Sequence, residues 1–169
     1  MTSPETSPNS FSDREFRDAM GRFPTGVCVV TAKNAYGESI GMTVNSFSSV
    51  SLNPPLVLVC LGVESPRSQA IINAGQFNIS ILTQDQADVS SHFAQPGQGL
   101  AADGMVVAGH NASPVVPNAG AVVECDVEAQ YPGGDHVILV GRVTHLTTNT
   151  NDAPLLYFGG AYRTLDGEV

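Results

Sequence analysis

The sequence predicts a mostly β fold, an antiparallel barrel with a few short helices. Short apolar runs that are typical of strands recur along the 169 residues, and only short helical segments separate them. The 17 glycines and 11 prolines are typical of a chain with many turns. No G-x-G-x-x-G pattern follows the first strand run, so the parallel sheet of a dinucleotide-binding domain is not expected.

Composition restricts the classes of function. A chain of this length suits one domain with its own core. We expect that domain over residues 12–169, after a disordered tail over residues 1–11. The net charge of −9 and the lack of a basic stripe exclude a nucleic-acid binder. No apolar run approaches the roughly 20 residues that span a bilayer, and the N-terminus lacks the pattern of a secretion signal.

The three cysteines, Cys28, Cys60 and Cys125, lie inside apolar runs. No pair of them has the spacing of a metal site, and the histidines add no such pattern. We therefore expect reduced thiols in a cytoplasmic protein and no bound metal ion.

The N-terminal region predicts a short amphipathic helix. Ser12 and Glu15 have the spacing of a capping box. Phe16 and Met20 then fall on one helical face and are expected to pack the helix against the fold. Gly21 marks its end.

The next segments predict strands. Residues 27–31 form a strand core, and a second strand is expected from about Ser39 to the proline-rich break at residues 53–55. Residues 56–61 are almost wholly apolar, so we expect neighbours to cover both faces of that strand.

Two short helices and a strand follow. Ser65 and Pro66 have the order of a helix cap followed by proline at the first helical position. Residues 77–82 alternate as a strand does. Thr83 opens a second capping box, and the helix after it is expected to run through Phe93.

The C-terminal part contains the clearest strand, over residues 121–130. Val123 and Cys125 face one way in the expected alternation, while Glu124 and the other acidic residues face water. A glycine turn leads into a long strand over residues 136–147, and an aromatic segment follows.

The strand expected after Ser39 is unusually rich in small polar side chains. So many donors and acceptors in one strand suit the binding of a polar, planar ligand. The alternative is a half-exposed strand whose hydroxyls meet water, and spacing alone leaves both open. The polar residues are Thr43, Asn45, Ser46, Ser48, Ser49 and Ser51.

Three separated motifs resemble the flavin reductase family. They are Phe-Pro-Thr-Gly-Val at residues 23–27, the hydroxyl-rich segment with its following apolar run at residues 41–61, and Gly-Asp-His at residues 134–136. The resemblance extends over about residues 16–163. It implies an antiparallel Greek-key split β-barrel that forms a homodimer, with flavin sites near the subunit interface.

The resemblance also implies roles for individual residues. His136 of the Gly-Asp-His motif is the candidate catalytic residue, as a hydrogen-bond donor that orients the nicotinamide or flavin ring rather than as an acid. In the family the Thr-x-Asn-Ser segment lies along the isoalloxazine, and the helix start after the Cys-Leu pair meets the flavin phosphate. Tyr162 either stacks on a cofactor ring or packs in the core or an interface. The implied cofactor-binding residues are Thr43, Val44, Asn45, Ser46, Cys60, Leu61, Ser65, Arg67, Ser68, Phe93 and Tyr162.

The implied activity is hydride transfer from NADH or NADPH to FMN or FAD, with the reduced flavin supplied to a partner monooxygenase. Only Arg17, Arg22 and Arg67 are plausible nearby cations, so no pocket for a 2′-phosphate is evident and NADH is favoured. Residues 95–109 depart from the family pattern, because they include no basic and no aromatic residue. Two alternatives stay open: a flavin carrier without reductase activity, and a barrel for another planar ligand such as haem. The lack of a well-placed axial ligand argues against haem.

Overall fold

The computed structural model describes residues 10–97, 100–149 and 153–165. The expected tail over residues 1–11 lies outside this part, apart from its last two residues. The elements are α1 (Asp13–Met20), β1 (Thr25–Gly26), β2 (Cys28–Lys33), β3 (Ser39–Val44), β4 (Ser48–Leu52), β5 (Pro55–Gly62), α2 (Pro66–Ile72), β6 (Gln76–Ile81), a 3-10 turn (Gln84–Gln86), α3 (Ala87–Ala94), β7 (Val107–Ala108), β8 (Pro114–Val115), β9 (Ala121–Gly133), β10 (His136–Thr148), β11 (Leu156–Phe158) and β12 (Ala161–Arg163).

The strands form one large antiparallel sheet and two small ones. The large sheet has seven strands in the order β3-β2-β6-β9-β10-β5-β4. Its two edge strands, β3 and β4, are consecutive in the chain, so the sheet must curl until its edges approach each other. β1, β11 and β12 form a second sheet, and β7 pairs with β8. The predicted class, a mostly β antiparallel split barrel with a few short helices, is confirmed.

β2 lies inside the large sheet and buries both of its faces. Val30 packs in the main core with Phe77, inside the barrel. Val29 points the other way, into a second cluster with Phe93 and Leu155. Because β-branched residues pack well on a pleated surface, this short run suits a strand covered on both sides.

The long hairpin of β9 and β10 forms the back of the barrel, with 13 residues in each strand. The register shifts between Val140 and Gly141. A Cβ atom at Gly141 would lie only 2.6 Å from Cζ of Phe77 and 2.8 Å from Cβ of Cys125. Glycine is therefore required for the Phe77 ring to pack directly against β10.

The sequence signals for helix starts are confirmed. The backbone N–H of Ser12 donates to the Glu15 carboxylate at 2.8 Å, and the Ser12 hydroxyl accepts from the Glu15 N–H. Ser65 caps α2, with Pro66 at the first helical position. The third helix begins as the 3-10 turn after Thr83. Within the described residues, no helix combines the length and apolar character that crossing a membrane requires.

The expectation that α1 packs against the fold is wrong. The side chains of Phe16, Met20 and Phe23 are 51%, 56% and 74% exposed, and no residue of α1 is buried. Local hydrogen bonds define the start of this helix, but no described part of the chain covers its apolar face.

β5 also leaves one face incompletely covered. Val57, Val59 and Leu61 are buried in the main core, whereas the alternate side chains, including Leu58 and Cys60, are only half-buried. The expectation that both faces are covered is therefore wrong within a single chain.

The hydroxyl-rich segment is not the continuous strand expected from the sequence. β3 ends at Val44, the chain bends at Asn45, and β4 begins at Ser48 on the opposite edge of the sheet. The Ser46 hydroxyl accepts from the N–H of Cys60 and donates to its carbonyl oxygen, both at 3.0 Å. This side chain therefore joins the corner between the two edge strands to β5.

Glu124 is buried, with 3% exposure, although strand alternation predicted that it faces water. Its Oε1 accepts from the N–H of His110 at 2.9 Å, and its Oε2 accepts from the N–H of Asn111 at 2.8 Å. The loop between β7 and β8 thus supplies two donors that compensate for the lost water. The same loop stacks the His110 ring on that of His145, with centroids 3.8 Å apart.

The Ser46→Ala substitution is expected to loosen the barrel, because it removes both hydrogen bonds to the Cys60 backbone. The free energy of unfolding should fall by about 1–3 kcal/mol, the range for backbone groups left without partners. Urea-induced unfolding measures the change. Ser48→Ala is the matched control, since the Ser48 hydroxyl donates only to the adjacent carbonyl of Ser49 at an exposed position. Equal unfolding midpoints for the two variants would contradict the proposed joint.

Candidate active site

A cavity of about 350 Å³ opens between β3, α3 and the β11–β12 hairpin. Its volume lies at the lower end of the range for small-molecule sites. Six of the residues predicted to bind a cofactor lie together in its wall, although they come from five separate elements or connections. They are Thr43, Val44, Asn45, Arg67, Phe93 and Tyr162.

The floor of the cavity is apolar and rigid. Phe93 is fully buried in the second core cluster, together with Val27. A Cβ atom at Gly41 would lie 2.9 Å from Cε1 of Phe93, so the glycine of β3 makes room for the ring. Close packing of this kind fixes the position of the Phe93 ring beneath the cavity.

The rim of the cavity is polar. The Thr43 hydroxyl donates to the carbonyl oxygen of Ser90 at 2.6 Å. An Arg67 Nη1 group donates to the carbonyl oxygen of Phe93 at 3.1 Å, which holds the guanidinium at the cavity wall. Asn45 is exposed, and within the described residues its side-chain amide has no hydrogen-bond partner. The rim therefore offers an amide, a hydroxyl and a positive charge beside an apolar floor.

Two tyrosines form the remaining wall. The rings of Tyr157 and Tyr162 meet edge to face, with centroids 5.9 Å apart. β11 is held against β1 by the pairing of Thr25 with Tyr157, and the Tyr162 phenol bonds to the Ser90 hydroxyl at 2.7 Å. The C-terminal hairpin is thus fixed to the barrel and to α3 at the cavity.

Several predicted residues lie elsewhere. Ser46 turns to the Cys60 backbone, and Leu61 is fully buried in the main core. The Ser65 hydroxyl accepts from the N–H of Ser68. Ser68 is itself fully buried, with its hydroxyl against Sδ of Met42. Five predicted residues therefore do not line the cavity: Ser46, Cys60, Leu61, Ser65 and Ser68.

His136 lies at the start of β10, outside the cavity wall. Its Nδ1 is 2.7 Å from a carboxylate oxygen of Asp135. Its Nε2 lies near Gly62 at the end of β5, 3.9 Å from where a Cβ atom of that residue would be. The hydrogen bond from His136, and then its charge, hold the pKa of Asp135 below the ordinary value of an aspartate. The pair therefore holds the imidazole through Nδ1, and Nε2 takes no part in this hydrogen bond.

A second, larger cavity of about 980 Å³ adjoins the first. The two share Asn45 and Tyr157 in their walls. Arg17 and Arg22 line the second cavity, and the Arg22 guanidinium lies over the Phe158 ring at 5.5 Å from its centroid. Two of the seven basic residues of an acidic chain thus meet beside the first cavity.

Sequence reasoning did not assign four residues of the first cavity: Val27, Met42, Ala94 and Tyr157. Tyr157 belongs to the C-terminal aromatic segment that resembles the family, and this was the available signal. Val27 ends the Phe-Pro-Thr-Gly-Val motif, which was the available signal for it. Met42 in β3 and Ala94 in α3 have no local pattern that distinguishes them from the core.

The cysteines and histidines of the described residues form no metal-binding group, although His110 stacks on His145. In the described ranges, no group of three or more His, Cys, Asp and Glu side chains is placed to hold a metal ion. Burial raises the pKa of the Cys28 thiol to about 12, and burial with the nearby acidic side chains does the same for Cys125.

Comparison with known proteins identifies the family. A family described as "Flavin reductase like domain" matches residues 20–166, which cover the whole cavity wall. The chain belongs to the flavin reductase family. The Thr-Val-Asn segment, Arg67 and the aromatic hairpin of this family member lie at one cavity.

A probable flavin reductase of Rhizobium meliloti is 44% identical over 154 residues, which are 91% of this chain and 49% of that protein. The chain thus spans about half the length of this relative. An NADH:FAD oxidoreductase of Streptomyces globisporus, solved with NAD and FAD fragments, superposes with a TM-score of 0.85 and 37% identity over 91% of this chain and 93% of that one. The styrene monooxygenase flavin reductase of Pseudomonas putida superposes at 0.83 with 31% identity, over 91% and 99% of the two chains.

The ionisation of Asp135 tests the pair with His136. Its carboxyl should titrate below the ordinary pH range in the native protein and return toward it in His136→Gln, because the hydrogen bond and the charge are lost. Since the native pKa is lowered, the pair stabilises the fold above the ordinary aspartate pKa, and this contribution disappears as the pH falls through the lowered value. Carbon-detected NMR of the Asp135 side chain measures it. His92→Gln, on α3, is the control, and an Asp135 titration that is identical in all three proteins would refute the pairing.

Proposed function

We propose that this protein is an NADH-dependent flavin reductase that uses FMN or FAD and supplies reduced flavin to a partner monooxygenase. The observation that carries the proposal is the first cavity, whose exposed Asn45 amide, without a partner among the described residues, lies beside the Thr43 hydroxyl and the buried Phe93. A flavin ring system needs this combination, because its body is planar and apolar whereas one edge carries amide-like groups.

The residues present fit such a ring. Phe93 and Val44 supply an apolar surface, and Tyr157 and Tyr162 supply an aromatic wall. Asn45 offers both a donor and an acceptor to the polar edge. Once bound, the flavin supplies the ring that accepts a hydride from the nicotinamide. The protein holds the reactants in register and excludes water, and this transfer requires no general base.

Three arginines at the two adjoining cavities favour the binding of phosphate groups there. Arg67 lies at the first cavity, and Arg17 and Arg22 line the second. We assign Arg67 to the flavin phosphate and the two α1-side arginines to the phosphates of the nicotinamide cofactor. Arg22 is partly engaged with the Phe158 ring, so these cations form no dedicated cluster for an additional 2′-phosphate, and NADH is the favoured donor.

His136 remains the proposed orienting residue. It lines neither of the two adjoining cavities in a single chain. Its role as a hydrogen-bond donor therefore requires a partner subunit, or a ligand that extends beyond the cavity. The ion pair with Asp135 would hold its ring in place in either arrangement.

A homodimer fits the uncovered apolar surface. Phe16, Met20 and Phe23 are at least half exposed, and Phe11 stacks on Phe16 with centroids 6.0 Å apart. We propose that a second copy covers this α1 face, which borders the second cavity. Exposed apolar clusters of this kind mark interaction surfaces.

The oxygenase partner is proposed from the family relationship, since the similar Pseudomonas protein is the reductase of a styrene monooxygenase. The free cysteines suit a reducing compartment, so we also propose that the protein acts in the cytoplasm.

Purified protein should oxidise NADH rapidly only when FMN or FAD is added, as followed by the loss of NADH absorbance. Asn45→Ala should reduce kcat/KM for the flavin by about tenfold or more, because one or two hydrogen bonds at the ring edge are lost. Ser49→Ala, an exposed polar change in β4, is the control and should match the wild type. Tight flavin binding without any NADH oxidation would contradict the reductase activity and indicate a flavin carrier instead.

Light scattering should give twice the chain mass of 17.6 kDa. Phe16→Ser and Met20→Ser should each raise the dimer dissociation constant by about tenfold or more, because each removes a large apolar side chain from the interface. Tyr36→Ser is the matched control, since Tyr36 is 88% exposed at the turn between β2 and β3. A wild-type monomer, or equal dissociation constants for all three variants, would rule out this interface.

A further inference from the structure

Ser90 connects two walls of the first cavity without lining it. It lies in α3 and is fully buried. Its carbonyl oxygen accepts from the Thr43 hydroxyl at 2.6 Å, and its own hydroxyl is 2.7 Å from the Tyr162 phenol oxygen. A single residue therefore holds both the β3 side and the hairpin side of the site.

The direction of the first hydrogen bond is set by chemistry. A carbonyl oxygen carries no proton, so Thr43 must donate its only hydroxyl proton to Ser90. The Thr43 oxygen then has only lone pairs left for a further hydrogen bond. Toward a ligand, Thr43 can act only as an acceptor.

The second hydrogen bond has its direction set by burial. Within the described residues, Tyr162 is the only partner of the Ser90 hydroxyl, and a buried donor without an acceptor is costly. The Ser90 proton must therefore go to the Tyr162 oxygen. Tyr162 is 36% exposed and lines the cavity, so its own proton is left to donate to a ligand.

We infer that Ser90 is a positioning residue that sets the hydrogen-bonding direction of the site, with Thr43 as an acceptor and Tyr162 as a donor. The inference rests on the proposed function and deepens it. The ligand edge at this place must offer both an N–H and a carbonyl group, as an amide does. A flavin ring edge and a nicotinamide carboxamide share this chemistry, and binding measurements distinguish the two.

The test compares wild type, Ser90→Ala, Ser90→Thr, Tyr162→Phe and the double variant Ser90→Ala/Tyr162→Phe. FMN binding is followed by quenching of flavin fluorescence, and the KM for NADH is measured where turnover occurs. Ser90→Ala and Tyr162→Phe should each weaken binding of the same ligand by about tenfold, the value of one hydrogen bond. The double variant should bind the ligand as tightly as whichever single variant binds it more weakly. Ser90→Thr should bind it as tightly as wild type, because threonine keeps the hydroxyl.

A change in the FMN dissociation constant alone places the flavin edge at Thr43 and Tyr162, whereas a change in the KM for NADH alone places the carboxamide there. Two results would overturn the inference. In the first, Ser90→Ala binds both ligands as well as or better than wild type, as expected if Tyr162 donates to Ser90. In the second, the losses add in the double variant, which indicates that Ser90 acts by packing rather than through Tyr162.

Thermal unfolding of each variant provides the check on folding. If Ser90→Ala does not fold, Tyr162→Phe decides, and unchanged binding of both ligands by that variant overturns the inference. A wild type that binds FMN without oxidising NADH would refute the proposed activity, while the FMN dissociation constants of the variants still decide the role of Ser90.

Discussion

The two hydrogen bonds between Ser46 and the Cys60 backbone are the interaction on which the site depends. They lie where the chain leaves one edge of the large sheet and enters the other. Strand edges carry unpaired N–H and C=O groups, and a short corner cannot continue the ladder between them. One serine hydroxyl, acting as donor and acceptor at once, instead joins this corner to the backbone of β5. Asn45 immediately precedes it, so the same corner that brings the edges together presents the amide to the cavity.

The rest of the site follows from how α3 lies across this corner. Gly41 leaves room for Phe93, and Phe93 in turn forms the floor. The preceding turn of the helix places Ser90 between Thr43 and Tyr162. Packing in the second core cluster therefore sets the positions of the polar groups, which explains why an apolar cluster outside the barrel matters to the chemistry inside the cavity.

Local signals in the sequence predicted much of the fold. The caps at Ser12 and Ser65 succeeded because their hydrogen bonds involve residues only three positions away. Alternation failed at Glu124, because a loop from another part of the chain supplies its two donors. Helical periodicity found the apolar face of α1 but could not say what covers it.

The candidate site also contains residues that the sequence predicted and residues that it did not. Resemblance to the family predicted Thr43, Asn45 and Tyr162, which line the first cavity, because they belong to motifs that can be read along the chain. Ser90 gave no signal, because a serine within a helix looks the same whether or not its hydroxyl meets a tyrosine 72 positions away. Periodicity reports burial along one element, whereas hydrogen-bond partners across the fold depend on tertiary geometry.

The pairing of β1 with β11 has a consequence for biosynthesis. Thr25 is synthesised more than a hundred residues before its partner Tyr157. Domains form while the chain is still being made, at about 5–20 residues per second. A nascent barrel that lacks the C-terminal hairpin has the floor of the cavity but neither tyrosine of its wall. The wall of the cavity is therefore complete only in chains whose translation has passed this hairpin.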